Sequence, residues 1–154
     1  MKYIIDQIKT VIENGLGNKI GYYYIGRPHI LPKEVAMRGY IAISPLEDET
    51  NLVQTQTDQG IYRVEIEVGR DVRNEWNQMP QKVGTTKWLM EIVQNTDENG
   101  LLKNDTIKYV LRNNLVQIGK THIMSISYDD IEVEEQYVKV AKILLEITTL
   151  RNLQ

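Results

Sequence analysis

The stretch that decides the fold is Ile61-Tyr62-Arg63-Val64-Glu65-Ile66-Glu67-Val68-Gly69. Its apolar and charged side chains alternate: the apolar set is Tyr62, Val64, Ile66 and Val68, and the charged set is Arg63, Glu65 and Glu67. Successive side chains of a strand point to opposite faces, so this pattern predicts a strand with one buried and one solvated face.

The segment just before this strand predicts a β-hairpin. Residues 50–57 are largely polar, and Asp58-Gln59-Gly60 is a turn-like sequence between the two segments. A polar first arm is typical of an edge strand, or of one that projects beyond the body of a domain.

The N-terminal segment predicts an amphipathic helix. Apolar residues fall on one helical face at Ile4, Ile8, Val11 and Ile12. Asn14-Gly15 and Gly17-Asn18 supply residues that stop a helix. A glycine-rich phosphate loop is a poor interpretation of the same residues, because such loops follow a strand and open a helix.

Between this helix and the hairpin we expect two strands and a long loop. The first strand is the tyrosine-rich stretch 20–25, and the loop runs from Gly26 to Arg38, where Pro28 and Pro32 remove backbone donors. The second strand covers residues 39–44, with Pro45 as its end and an acidic turn at residues 47–49.

After the hairpin, the sequence predicts two helices and then two strands. Thr85 or Thr86 caps a helix through about Gln94, and Asn104 or Asp105 caps a shorter helix around residues 107–111. Residues 118–128 alternate as a strand, Asp129-Asp130 turns the chain, and residues 133–150 form a long strand. Helical spacing within 138–145 leaves a helix as the alternative, but β-branched residues favour the strand.

These elements predict one α+β domain spanning residues 1–154, with a mostly antiparallel sheet, an N-terminal helix, two further helices and a projecting hairpin. The chain of 154 residues is 42% hydrophobic and 25% charged, which is typical of a globular domain. It contains no cysteine, so thiolate catalysis, thiolate metal sites and disulfides are excluded. We expect no signal peptide and no membrane span.

No pattern predicts an enzyme, a cofactor or a metal. The acidic run at residues 129–135 lacks the spacing and glycine of a calcium loop, so we interpret it as a solvated turn or a charged contact between subunits. His122 has no nucleophile beside it, and a partly buried structural histidine is expected. A net charge of −3 argues against sequence-independent nucleic-acid binding, although several arginines and three tyrosines could form a local basic face. These residues are Arg27, Arg38, Arg63, Arg70, Arg73 and Tyr22 to Tyr24.

The order of elements resembles the tail terminator family of long-tailed phages and related tail-like particles. Four parts carry the resemblance: the helix from Ile4 to Asn14, the Pro28/Pro32 loop before the strand at residues 40–44, the hairpin ending in residues 62–68, and the long C-terminal strand after Tyr128-Asp129-Asp130. The two helices around residues 95–102 depart from the simplest form of this pattern.

The resemblance implies a virion structural protein, assembled in the host cytoplasm, whose homo-hexameric ring caps the tail tube. Such a ring contacts the tail tube protein and a neck or connector protein, and DNA passes through its lumen without sequence-specific binding. An acidic lumen would avoid gripping the phosphates. The candidate interface residues are Arg27, Pro28, His29, Arg38, Gln54, Gln56, Asp58, Gln59, Asp129 and Asp130. The alternatives are another head–tail joining protein (a neck stopper or head-completion protein) and, from a different class, a small enzyme or ligand-binding domain.

Overall fold

The computed structural model describes residues 1–28, 31–54, 57–71, 85–133 and 136–152, with the backbone alone described at residues 50–54, 57–58, 133, 136 and 150–152. Helices and strands follow one another as α1 (Lys2–Leu16), β1 (Tyr22–Ile25), α2 (Lys33–Arg38), β2 (Tyr40–Gln54), β3 (Thr57–Asp71), α3 (Thr85–Gln94), α4 (Ile107–Asn114), β4 (Lys120–Val133) and β5 (Gln136–Asn152). The predicted α+β class is confirmed.

The five strands of the described residues belong to one sheet with the order β1-β2-β3-β5-β4. β1 is parallel to β2, and the other three pairings are antiparallel. The terminal strand predicted at residues 133–150 is confirmed as β5, which lies in the interior of the sheet between β3 and β4. Its β-branched and aliphatic residues suit this position, where neighbouring strands flank it on both sides.

One face of the sheet is covered by α1, α3 and α4. The apolar stripe of α1 packs there through Ile4, Ile5, Ile8, Ile12 and Leu16, against the buried strand residues Ile41, Ile43, Val64, Ile66, Val68, Ala141, Ile143, Leu145 and Ile147. Burying a side chain of this size contributes about 1.5–3 kcal/mol, so this face supplies most of the core. None of the described helices is long and apolar enough to cross a membrane.

The opposite face is covered at one end by α2, where the prediction of a continuous loop from Gly26 to Arg38 was wrong. Lys33–Arg38 is helical, and Val35 and Ala36 are buried with Leu31 against Tyr40, Ala42, Val138 and Val140. A six-residue helix is too short to show a period in the sequence, so only its packing on the sheet reveals its apolar side.

The predicted end of α1 was two residues early. The helix continues through Gly15 to Leu16, and Gly17 ends it with φ 56° while its N–H donates to the carbonyl of Glu13. Gly15 serves a different purpose, because a Cβ there would lie 2.4 Å from Cγ2 of Val110 in α4. The glycine therefore allows α1 and α4 to approach closely, as small residues do at helix crossings.

Three further boundary predictions were wrong. β2 continues through Pro45 and the acidic residues 47–49 to Gln54, with irregular register between Pro45 and Glu47. Pro45 is tolerated because β1 pairs only with residues 40–43, so the proline lies on an outer edge. The N-cap of α4 is Thr106, whose hydroxyl accepts from the Tyr109 N–H, instead of Asn104 or Asp105.

Candidate assembly surface

Arg27 belongs to a partly buried polar cluster. Its Nε lies 3.2 Å from Oε2 of Glu67, and the Tyr40 hydroxyl donates to the same oxygen at 2.7 Å. Glu67 is buried, so its predicted position on a solvated face was wrong. The reason is tertiary: α2 and the Arg27 segment cover this end of the face, and the two donors compensate for burying the carboxylate.

Tyr40 is fully buried at the centre of this cluster. Burial, and then the neighbouring Glu67 carboxylate, raise the pKa of Tyr40 well above its ordinary range. The hydroxyl therefore keeps its proton and remains a donor to Glu67. The contacts among Arg27, Tyr40 and Glu67 stabilise the fold beside the C-terminal end of α2.

Arg38 is exposed at the end of α2. Its guanidinium carbon lies 5.7 Å from the centroid of the Tyr22 ring, a distance at which the cation and the ring attract one another. Arg38 and Tyr22 thus form a basic, aromatic corner beside β1. Pro28 is half-buried nearby in sequence, and His29 lies outside the described residues.

The candidates on the hairpin occupy strand positions. Asp58, Gln59 and Gly60 lie in β3, so the predicted turn at these residues was wrong. Gly60 pairs with Thr50 on one side and Thr149 on the other. The two-residue connection at 55–56 includes Gln56 and lies outside the described residues, while Gln54 and Asp58 are described only for their backbone.

The hairpin is joined by a third strand. β5 accompanies β3 as far as the pair Thr57–Asn152, so the predicted projecting arm contains β2, β3 and the end of β5. Gln59 is half-buried within it, between Asn51 and Leu150. A two-stranded arm is marginal alone, and a third strand supports its extension.

Asp129 and Asp130 are exposed on β4, where the prediction of a turn was wrong. They pair with Val140 and Lys139 of β5, and consecutive strand residues point to opposite faces. The two carboxylates therefore diverge. Among the described residues there is no group of three or more His, Asp or Glu side chains suited to holding a metal.

His122 is exposed, so the expected partly buried position was wrong. The register of β4 against β5 shifts between Ile123 and Ser125, which leaves Met124 as an extra residue. A bulge of this kind reverses which face the following residues occupy, so the uninterrupted alternation expected for residues 121–128 does not hold.

The arginines do not form a common basic face among the described residues. Arg63 contacts the carboxylates of Glu47 and Glu146. Arg70 is largely buried, with its guanidinium 4.4 Å from the Trp88 ring, and Arg73 lies outside the described residues. Acidic and aromatic partners therefore separate these cations, which weakens the nucleic-acid interpretation.

A cleft of about 290 Å³ lies between α3 and the end of the β4–β5 pair. Thr86, Tyr128, Asp130 and Lys139 line it, and Lys139 Nζ donates to Thr86 Oγ1 at 3.3 Å. This volume is at the lower limit of small-molecule pockets. The cleft adjoins the exposed acidic residues of β4, so it forms part of that edge of the sheet.

The structure thus places three of the candidate interface residues at two opposite edges of one sheet. Arg38 lies beside β1 at one edge, and Asp129 and Asp130 lie on β4 at the other. Two exposed apolar residues, Leu46 and Met124, were not predicted as surface residues, because both stand at strand irregularities that the alternating pattern does not show.

Comparison with protein-family models and with curated proteins finds no match to this chain. The class that the fold and its surface define is an α+β protein with one five-stranded sheet, open at both edges among the described residues.

Proposed function

We propose that this protein is a ring-forming tail terminator, which caps the last ring of tail-tube subunits and joins the tail to the neck. The observation that carries the proposal is a sheet whose two edges are free among the described residues, flanked by α1 on one face and extended by a three-stranded arm. This arrangement suits a protein whose neighbours complete its surface.

Ring closure requires two different surfaces on each subunit. In a head-to-tail ring, one patch of each copy binds a different patch of the next, and the rotation between copies must close. The candidate residues on opposite sheet edges, Arg38 on one and Asp129 and Asp130 on the other, meet this requirement. The projecting arm supplies a third surface, suited to the tube or the neck.

The proposal does not depend on an active site. The exposed carboxylates of β4 diverge, and the cleft beside α3 is small, whereas a more open cleft of about 750 Å³ is lined by Gln59, Val116, Lys120 and Thr148. The diverging carboxylates favour an assembly protein over an enzyme that uses them as a catalytic pair. The other head–tail joining proteins share this class, and only their binding partners separate them from a terminator.

The test is the mass of the purified protein by multi-angle light scattering, with negative-stain images of the same fractions. We expect rings, formed either by the protein alone or after addition of the tail tube protein, and shorter tubes when the protein is present during tube polymerisation. A strict monomer that leaves tube length unchanged would contradict the proposal. Binding to the neck protein without an effect on tube length would identify a neck component instead.

A further inference from the structure

Within the part of the chain that the structure describes, the sheet has two free edges, and their strands run in opposite directions. β4 is one edge, and β1 with the outer part of β2 is the other, because β1 pairs only with residues 40–43. Three antiparallel pairings lead from β2 to β4, so β4 is antiparallel to both β1 and β2. A second copy in the same orientation would therefore present its β4 antiparallel to β1 and β2. A free edge presents unpaired backbone N–H and C=O groups, with which a further strand can pair.

At one end of the sheet, the two edges carry opposite charges in the same row. The residues of this row are paired across the whole sheet and are Tyr22, Tyr40, Gly69, Val140 and Asp129. At the first edge, the exposed Arg38 lies over Tyr22. At the other edge, Asp129 is exposed, and its partner Val140 belongs to the same buried cluster that Tyr22 packs against. Tyr22 and Asp129 therefore lie on the same face of the sheet.

At the other end of the sheet, the charges are reversed. One row contains Glu47, Arg63, Glu146 and His122, and a second contains Glu49, Ile61, Thr148 and Lys120. The β2 edge is acidic here, since Arg63 is shared among Glu47, Glu49 and Glu146. The β4 edge carries the exposed Lys120 and His122. None of the ion pairs within the described residues uses Arg38, Lys120 or Asp129.

An exposed apolar side chain stands at an irregularity on each edge between these charged ends, and Ile25 of β1 and Tyr128 of β4 are exposed as well. Leu46 is 53% exposed and interrupts the register of β2 after Pro45. Met124 is 45% exposed and interrupts β4 after Ile123. Pro45 and Ile123 belong to the same row, so the two exposed residues lie within about one row of each other. Each edge thus has a charged end, an apolar centre and an oppositely charged end.

We propose that β4 of one copy lies antiparallel along the free edge of the next copy, head to tail, where the edge is formed by β1 and then by the part of β2 beyond Ile43. The inference rests on the proposed function, because it assigns the surface that closes the ring. Same-row pairing would bring Asp129 beside Tyr22 and Arg38, Met124 beside Leu46, and Lys120 beside the acidic end of β2. Complementary charges on both sides of an apolar centre set the register and orientation of such a contact.

The test uses charge reversal on the full chain. Arg38→Glu and Asp129→Lys, made singly, each place like charges together at the contact, and we expect each to raise the dissociation constant of the assembly by roughly tenfold or more. The double variant carries both reversals in every copy, so it restores attraction and is expected to recover most of the assembly. Sedimentation velocity over a concentration series measures the dissociation constants of the two single variants and the double variant, for comparison with that of the unchanged protein.

Lys103→Glu and Glu98→Lys are matched controls, since both residues are exposed in the loop between α3 and α4 and away from the two edges. We expect assembly of both to equal that of the unchanged protein. Circular dichroism of each variant checks that the monomer is folded. Backbone pairing gives a second, independent readout: amide hydrogens of β1 and β4 should exchange more slowly in the assembly than in the monomer.

The outcomes separate this inference from the proposed function. Rings that persist in both single variants, or a double variant no better than the singles, overturn the edge pairing and leave the terminator proposal intact. Two-fold dimers that are insensitive to Arg38→Glu indicate β4–β4 pairing and likewise overturn it. Open filaments that show the charge-reversal pattern support the edge pairing but contradict a closed ring. A monomer under all conditions, with tube protein included, overturns both.

Discussion

The hydroxyl of Tyr40 donates a hydrogen bond of 2.7 Å to the buried carboxylate of Glu67, and Arg27 approaches the same oxygen from the β1 side. This contact joins β2 to β3 beneath α2, at the edge where the basic corner of Arg38 and Tyr22 lies. The cluster therefore links the stability of the fold to the shape of one proposed contact surface.

Tyr40→Phe tests this cluster through alkaline pH. The ordinary tyrosine pKa is about 10, and native Tyr40 holds its proton to higher pH. As pH rises, the unfolded chain loses the Tyr40 proton before the native protein does. The contribution of Tyr40 to the free energy of unfolding is therefore complete below about pH 10 and declines above it, by up to about 1.4 kcal/mol per pH unit. We expect Tyr40→Phe to cost about 1–3 kcal/mol at pH 7, because Glu67 loses a donor, and to reduce the alkaline decline.

Urea unfolding at several pH values from 7 to 11 measures both effects. Tyr23→Phe is the control, since burial raises the pKa of Tyr23 to about 12, with a further contribution from Glu13. It should reduce the decline between about pH 10 and 12 without touching Glu67. An alkaline limb in Tyr40→Phe as steep as that of the unchanged protein would show that Tyr40 does not carry the effect.

Ile8→Ala tests the contribution of α1 to the core. Ile8 is fully buried against the sheet, so its truncation removes apolar contacts and leaves a cavity. We expect a loss of about 2–5 kcal/mol in the free energy of unfolding. Met90→Ala in α3 is the control, because Met90 is half exposed, and a change within about 0.5 kcal/mol is expected. Equal losses in the two variants would contradict the described position of α1.

Replacing Gly15 and replacing Gly17 by alanine should each lower the free energy of unfolding, for two different reasons. Gly15→Ala is destabilising because its Cβ would lie 2.4 Å from Val110, and we expect about 1–3 kcal/mol. Gly17→Ala has open space around it but a φ of 56°, so its cost of about 1–2 kcal/mol is conformational.

Val110→Ala distinguishes the two costs in a double-mutant cycle. Removing the Val110 methyl groups gives the new Cβ room, so Gly15→Ala and Val110→Ala together should cost less than the sum of the single variants. Gly17→Ala and Val110→Ala should be additive. Additivity in both pairs, measured by urea unfolding, would mean that α1 and α4 do not meet at Gly15.

The ion pair between Lys19 and Asp105 should make the stability of the fold depend on pH in the acidic range. The hydrogen bond from Lys19 lowers the pKa of Asp105 below its ordinary value. The native state therefore binds this proton less readily than the unfolded chain, and the stabilisation is present above the ordinary pKa of 3.8 and lost as pH falls below it.

Lys19→Gln should return the pKa of Asp105 toward its ordinary value. Titration of the Asp105 carboxyl carbon by NMR measures the change. Lys103→Gln provides the control, because Lys103 exerts only a minor charge effect on Asp105, and a smaller change is expected. If Lys103→Gln moved the titration more than Lys19→Gln, the contact between Lys19 and Asp105 would not be the cause.

An element of the fold could be predicted where its hydrophobic pattern in the sequence is long enough to repeat. The stripe of Ile4, Ile8 and Ile12 and the alternation of Val64, Ile66 and Val68 repeat over several residues, and both were found buried as predicted. α2 and the extension of β2 past Pro45 offer no repeating pattern, so both were missed. Of the candidate residues, Arg38, Asp129 and Asp130 proved exposed, whereas the role of Arg27 depends on Glu67.

The sequence by itself determined the class of fold, the N-terminal helix and the long terminal strand, because hydrophobic periodicity is a local property and these segments are long enough to show it. Only the tertiary structure decided that Glu67 is buried, that Leu46 and Met124 interrupt two edge strands, and that Arg38 and Asp129 lie on opposite edges of the sheet. The physical reason is that burial, register and edge position are set by the strands and helices that pack alongside, and these are distant in the chain.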